Sequence, residues 1–171
     1  MPDAVLVVDM LRGFLEEGNN LYCGDGARRI IPEVQSILER ETARGSSIFY
    51  ICDTHEPDDL EFKMFPVHCV KGTAECEVIP ELDAYPGDRI SKQRYSAFYN
   101  TDLEQRLREL APDRIIVCGV CTDICVLHTT ADARNRDYSV EVPTGAVASF
   151  DEDAHRWALR HMETILGASL A

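Results

Sequence analysis

Apolar residues fall into two rhythms along this chain. Short β-branched runs at 4–8 (AVLVV), 47–52 (SIFYIC) and 115–118 (IIVC) predict buried strands of a parallel sheet covered on both faces. Segments 89–91 and 138–142 predict two more strands, and 168–170 an edge strand. Between them apolar positions recur at helical spacing. Ile30, Ile31, Val34, Ile37 and Leu38 share one face of a helix over about 27–44. Pro32 is tolerated only in a first turn, which moves the true start close to Ile31, and Gly45 ends it. Thr101 with Glu104 reads as a capping box ahead of Leu103, Leu107 and Leu110. Gly119 should break the 115–118 strand, and Thr122 or Asp123 should cap a helix running to about Asp137. Ser149 with Glu152 suggests another capping box, before a helix with Ala154, Trp157, Ala158, Met162 and Ile165 on one face.

The alternation predicts an α/β fold in one domain over 1–171, a three-layer αβα sandwich with a six-stranded, mostly parallel sheet. Right-handed crossovers around a central first strand give the order 3-2-1-4-5-6. Residues 54–87 carry four prolines and no sustained period. So long an irregular stretch inside a domain has a function to serve.

Composition narrows the partners. The chain has 171 residues and a net charge of −13, which argues against nucleic acid and anionic membranes. No apolar run approaches the roughly 20 residues of a membrane span, and no signal-peptide pattern opens the chain. Seven cysteines without a disulfide framework point to the reducing cytoplasm. The turn after the first strand has no G-x-G-x-x-G, which disfavours a dinucleotide site. The oligomeric state is open, a homo-oligomer included.

Polar exceptions stand at the ends of the predicted strands. Asp9 follows the first, Asp53 and His55 the second, Lys92 the third, and Cys125 the turn after the fourth. In an open parallel sheet, ligands bind outside those ends where the strand order reverses. A cysteine there is a nucleophile as its thiolate. Lys92 would lower the thiol pKa, as would a helix N-terminus. Asp9 could take the thiol proton and hand it to a leaving amine. Amides at Cys121 and Cys125 could donate to an oxyanion, each worth about 3–4 kcal/mol of barrier. Together these describe acyl transfer from an amide through a thioester.

A second constellation lies in the irregular stretch. Asp53 and His55 point the same way on an extended backbone, and Glu61 and His68 follow. Two histidines with one or two carboxylates suit one divalent ion: zinc first, with manganese or iron as alternatives. Spacing alone leaves open a solvated acidic loop of Glu56, Asp58, Asp59 and Glu61. Cys69 and Cys76 read as packed thiols, and His128, His155 and His161 as structural or surface residues.

Val7-Val8-Asp9-Met10, Lys92 with Tyr95-Ser96-Ala97-Phe98, and Gly119-Val120-Cys121-Thr122-Asp123-Ile124-Cys125-Val126 resemble the isochorismatase-like cysteine hydrolases over nearly the whole chain. Asp53-Thr54-His55 and Phe65-Pro66-Val67-His68 with Gly72-Thr73 resemble the metal-binding nicotinamidase/pyrazinamidase branch, where Glu61 fits a fourth ligand. The resemblance implies an Asp9–Lys92–Cys125 triad, a cis Val120–Cys121 peptide, and aromatic walls at Phe14, Phe65 and Tyr95. It implies a metal that anchors a pyridine nitrogen. The expected reaction is hydrolysis of nicotinamide, or a similar small aromatic amide such as pyrazinamide, to the acid and ammonia. The rivals are a metal-free hydrolase of an amide or enol ether, and a non-catalytic ligand-binding module. Two positions depart from the pattern. Arg12-Gly13 replace an Asn-Asp or Gln-Asp pair, and Cys121 stands where alanine is usual, a second thiol that oxidation could link to the nucleophile or cap.

Overall fold

Five apolar residues without a polar interruption make β1 (Ala4–Val8) the centre of the sheet, buried at every position. The computed structural model describes residues 2–171. β1 pairs in parallel with β2 (Ser47–Asp53) on one side and β4 (Ile115–Val120) on the other. β3 (Asp88–Lys92) lies outside β2, β5 (Val140–Val142) outside β4, and β7 (Ser169–Leu170) outside β5, all parallel. The order 3-2-1-4-5 continues to the C-terminal strand as predicted. A seventh strand, β6 (Val147–Ala148), pairs with the end of β4. Two residues are too few to show a period, so the pattern misses it.

Side-chain alternation divides β1 between two cores. Val5 and Val7 pack beneath α3 (Ile31–Ala43) with Ile31, Val34, Ile37 and Leu38. Two single turns, α1 (Arg12–Leu15) and α2 (Asp25–Arg28), precede α3 on the same side. Leu6 and Val8 face α4 (Leu103–Leu110), α5 (Leu127–Arg134) and α6 (Glu152–Thr164) through Leu103, Leu107, Ala133, Ala158 and Met162. Each large aliphatic side chain so buried contributes about 1.5–3 kcal/mol. Among the described residues, no helix is long and apolar enough to cross a membrane.

Several local expectations give way. Gly119 does not break β4; it lies inside the strand at φ +113, where a Cβ would sit 2.0 Å from the Val8 carbonyl oxygen. The glycine is there for close approach, which a one-dimensional pattern reads as a stop. Neither Thr122 nor Asp123 caps a helix. Thr122–Val126 forms a π-type turn, closed by the Val126 amide on the Cys121 carbonyl at 3.1 Å. The Thr122 hydroxyl pairs with His155 Nδ1 at 2.8 Å, and Asp123 accepts from Ser149. With Ser149 so engaged, Asp151 caps α6 by accepting from the Ala154 amide at 2.9 Å. The Thr101–Glu104 box is also absent: Glu104 pairs with Arg108 and Arg136 instead. Trp157, placed on the apolar face of α6, is 57% exposed and stacks on His161, and Ile165 is exposed beside them.

The 54–87 stretch is built from single 3-10 turns at Leu60–Lys63, Ala74–Cys76 and Pro80–Leu82. Isolated bridges pin it at Leu11 to Val78 and at His55 to Val70.

Candidate active site

The chain leaves β1 at Asp9 with φ +51, a left-handed conformation that aspartate tolerates better than most residues. The bend aims the carboxylate across the sheet edge, where Oδ1 accepts the Asp53 amide at 3.0 Å. Lys92 ends β3 with its side chain fully buried. Its Nζ lies 3.0 Å from Asp9 Oδ2 and 3.5 Å from Cys125 Sγ, and forms a short ion pair with Asp53. Cys125 sits buried in the π-turn. The structure therefore gathers Asp9, Lys92 and Cys125, and it adds a contact that sequence reasoning missed: the lysine also holds Asp53. The Val120–Cys121 peptide is cis, as the resemblance implied.

Charge divides unevenly among these groups. Burial and the charge of Asp53 push Asp9 up to about 6 against the pull of Lys92. Burial also opposes ionisation of Asp53, but Lys92, His55 and His68 hold its carboxyl well below the usual range. Burial disfavours the Lys92 ammonium too, yet Asp53 and Asp9 keep it charged, well above the ordinary lysine value. Cys125 corrects the expectation of an easily ionised thiol. Burial pushes it well above the ordinary value, and Lys92 only opposes that shift, while the charges of Asp9 and Asp53 add to it.

Asp53, His55, Glu61 and His68 are all buried, and their ligand atoms lie within 4.8 Å of one another. The His55 amide donates to Cys69 O at 2.9 Å and the Lys71 amide to His55 O at 2.8 Å, folding the loop back so that the two imidazoles meet at 4.7 Å between centroids. His68 Nδ1 faces the Pro66 carbonyl at 2.7 Å, and His55 Nδ1 faces Asp59 at 2.9 Å. Both partners accept, so both Nδ1 atoms donate and each Nε2 is left for the cluster. His55 Nε2 is buried without a hydrogen-bond partner, 3.1 Å from Glu61 and 3.5 Å from Asp53. Burial disfavours imidazolium, but these carboxylates push His55 up to about 10 and His68 up to about 9. Two nitrogens, one of them without a hydrogen-bond partner, and two carboxylates gathered in one buried space fit a divalent cation.

A pocket opens between the two clusters, lined by Asp9, Cys125, Asp53, Glu61 and His68 on its polar side. Phe14, Phe65 and Tyr95 line it too, with Leu21, Ile124 and Phe150. Phe65 stands edge-on to Tyr95 at 6.4 Å, and Phe14 packs 5.7 Å from His68.

A model of the isochorismatase domain matches residues 3–170. The chain belongs to the isochorismatase family. Isochorismatase family protein PncA of Bacillus subtilis is 34% identical over the full length of both chains. The crystal structure of nicotinamidase PncA from Bacillus subtilis superposes with a TM-score of 0.93 at 36% identity, over 100% of this chain and 99% of that one. A pyrazinamidase of Pyrococcus horikoshii, crystallised in complex with zinc, gives 0.91 at 30% identity over 100% and 99%. These likenesses put this isochorismatase-family chain beside the nicotinamidases and pyrazinamidases.

The departures from the family pattern have structural reasons. Gly13 lies so close to the metal-loop segment that a Cβ would meet Cys69 Sγ at 2.8 Å and Glu75 Cβ at 3.0 Å. Arg12 pairs with Glu16 and Glu77 at 3.4 and 3.2 Å. Arg12-Gly13 therefore dock α1 onto the loop. Cys121 Sγ lies 3.7 Å from Cys23 Sγ, so its thiol neighbour is Cys23 rather than the nucleophile candidate. Cys69 and Cys76 donate to carbonyls of Glu75 and Val70 as packed thiols. Asp59 and Arg94 were missed, because Asp59 was grouped with the acidic loop. Glu56 and Asp58 are indeed exposed, but Glu61 and the Asp59 side chain are buried. The spacing of His55 and Asp59, four residues apart, is the signal that could have found it.

Proposed function

We propose that this protein is a metal-containing cysteine amidohydrolase that converts nicotinamide to nicotinate and ammonia. The carrying observation is Lys92, which touches Cys125, Asp9 and Asp53 together. It ties a nucleophile and its base to a four-donor cation site across one aromatic-lined pocket. The reading extends to where the enzyme works: seven free, buried cysteines favour the reducing cytoplasm.

The division of charge sets the roles. With a thiol pushed high and a carboxylate at about 6, Cys125 rests protonated and Asp9 is the stronger base of the two carboxylates. As Sγ attacks the amide carbon, Asp9 takes the thiol proton. The amide N–H groups of Cys121 and Cys125 stabilise the oxyanion. Asp9 then passes the proton to the departing nitrogen, which leaves as ammonia, and Cys125 holds the acyl group as a thioester. Asp9 draws a proton from water, which attacks the thioester, and nicotinate leaves with the thiol restored. Lys92 stays charged throughout and offsets the negative charge moving between sulfur and Asp9.

Asp53, His55, Glu61 and His68 would hold the divalent ion, with zinc favoured by the relative crystallised with it. The ion supplies a Lewis-acidic anchor for the pyridine nitrogen. Phe14, Phe65 and Tyr95 sandwich the ring and exclude water, and the same walls admit pyrazinamide. The test is ammonia release from nicotinamide before and after chelation. One ammonia per nicotinate, lost on chelation and restored by zinc or manganese, is the expected result. No ammonia at all sinks the substrate assignment, and chelator-insensitive turnover sinks the metal.

A further inference from the structure

Asp59 holds two members of the four-donor cluster at once. Its carboxylate is buried, with the side chain 4% exposed. Oδ2 accepts from His55 Nδ1 at 2.9 Å, while Oδ1 accepts from the Glu61 amide at 2.8 Å. Arg94 reaches both oxygens through Nη1, at 2.9 and 3.1 Å. Arg94 follows Lys92 by two residues and also donates to the Gln93 carbonyl at 2.6 Å. Lys92 at the end of β3 thus holds Asp53 at the end of β2, and Arg94 just beyond it holds Asp59 in the loop.

We propose that Asp59, clamped by Arg94, is a positioning residue that fixes the tautomer of His55 and the backbone of Glu61 and so sets the affinity of the divalent-ion site. The inference rests on the reading that Asp53, His55, Glu61 and His68 hold an ion. A carboxylate behind a ligating histidine orients the ring and raises its basicity, and its loss typically weakens metal binding by 10–100-fold. Capping the 3-10 turn Leu60–Lys63 explains the bond to Glu61. It explains neither the bond to His55 nor the clamp from Arg94.

Asp59→Asn separates the two roles. Asparagine is as good a cap as aspartate, and its oxygen can still receive the Glu61 amide. Its NH2 group then meets His55 Nδ1 as a donor. That favours the other tautomer, with hydrogen on Nε2 and no lone pair for the ion.

Zinc affinity is measured by competition with a chromophoric chelator, and the ligand field by the visible spectrum of the cobalt-substituted protein. The expected result for D59N is affinity weaker by about 10–100-fold, an altered cobalt spectrum, a KM that rises more than kcat falls, and folding like the parent. R94M, which keeps the carboxylate but frees it, should show a smaller loss in the same direction, partly restored in R94K. Unchanged zinc affinity in D59N overturns the proposal. If D59N does not fold, unchanged affinity in R94M does so. His55→Ala is the control for the underlying reading. If H55A binds zinc like the parent, the four-donor site itself fails. If H55A loses zinc while D59N keeps it, the failure belongs to Asp59 alone.

Discussion

Cys125 gains no reactivity from its own resting pKa. Its burial outweighs Lys92, so the thiolate forms only when a base 4.8 Å or less away takes the proton. Asp9 is that base in the proposed mechanism, and Asp53, paired to Lys92 and two histidines, is not free to serve. Replacing Cys125 with alanine removes the one atom that can carry the acyl group and touches none of the four cation donors. Turnover of nicotinamide should fall to background while elemental analysis still finds one divalent ion per chain. Residual ammonia release near the parent rate would remove Cys125 from the chemistry. Residue types at strand ends made this group legible from sequence, since a carboxylate or ammonium at the end of an apolar run has few structural excuses. The Lys92–Asp53 contact was not legible. It spans 39 residues and depends on β3 lying beside β2 in register.

The elements were legible where burial repeats and illegible where a single contact decides. α3 announces itself through Val34, Ile37 and Leu38, whereas β6 pairs with β4 at Gly119 and Val120, where only a glycine lets β4 run against the Val8 carbonyl. The metal loop has no period at all; its shape follows from the His55–Val70 bridge and the bonds of Asp59. Glu41 is another contact that pattern cannot show. It lies fully buried near the end of α3, accepting from Ser46 at 2.8 Å, Arg40 at 2.9 Å and Arg44 at 3.3 Å. It thereby ties the helix end to the chain entering β2. Burial works against its charge, but these donors hold the carboxyl below the usual glutamate range. The stabilisation is therefore complete above the unfolded-state pKa of about 4.3 and is lost as pH falls through the lower folded value. Glu41→Gln should cost about 1–3 kcal/mol in urea unfolding at pH 7. The gap from the parent should narrow as pH falls below the unfolded-state value, and an equal gap at pH 7 and in acid would show that the charge contributes nothing.

For the whole molecule, the cation site joins parts of the chain that otherwise share little. Asp53 ends β2, while Glu61 and His68 belong to an irregular loop whose backbone bonds are mostly local turns. The sheet supplies Asp53 regardless, but the loop must bring two histidines and a second carboxylate into a buried space. A cation bound to the folded chain stabilises it by about 2.7 kcal/mol at a hundred times its dissociation constant. For a domain of this size each kcal/mol raises the melting temperature by about 2–4 °C, so the metal-loaded protein should melt roughly 5–10 °C above the chelated one. Zinc alone would understate the shift. Unfolding releases seven thiols that bind zinc in the denatured chain, and affinity for the unfolded state subtracts from the stabilisation. Manganese prefers carboxylate to thiolate, so excess manganese against chelator is the cleaner comparison. His55→Ala should remove the manganese-dependent shift, read against the chelated form of the same variant, whose own melting temperature falls because Asp53, Asp59 and Glu61 lose their buried imidazole partner. A shift of equal size in that variant would mean that the ion stabilises the fold from somewhere other than these four side chains.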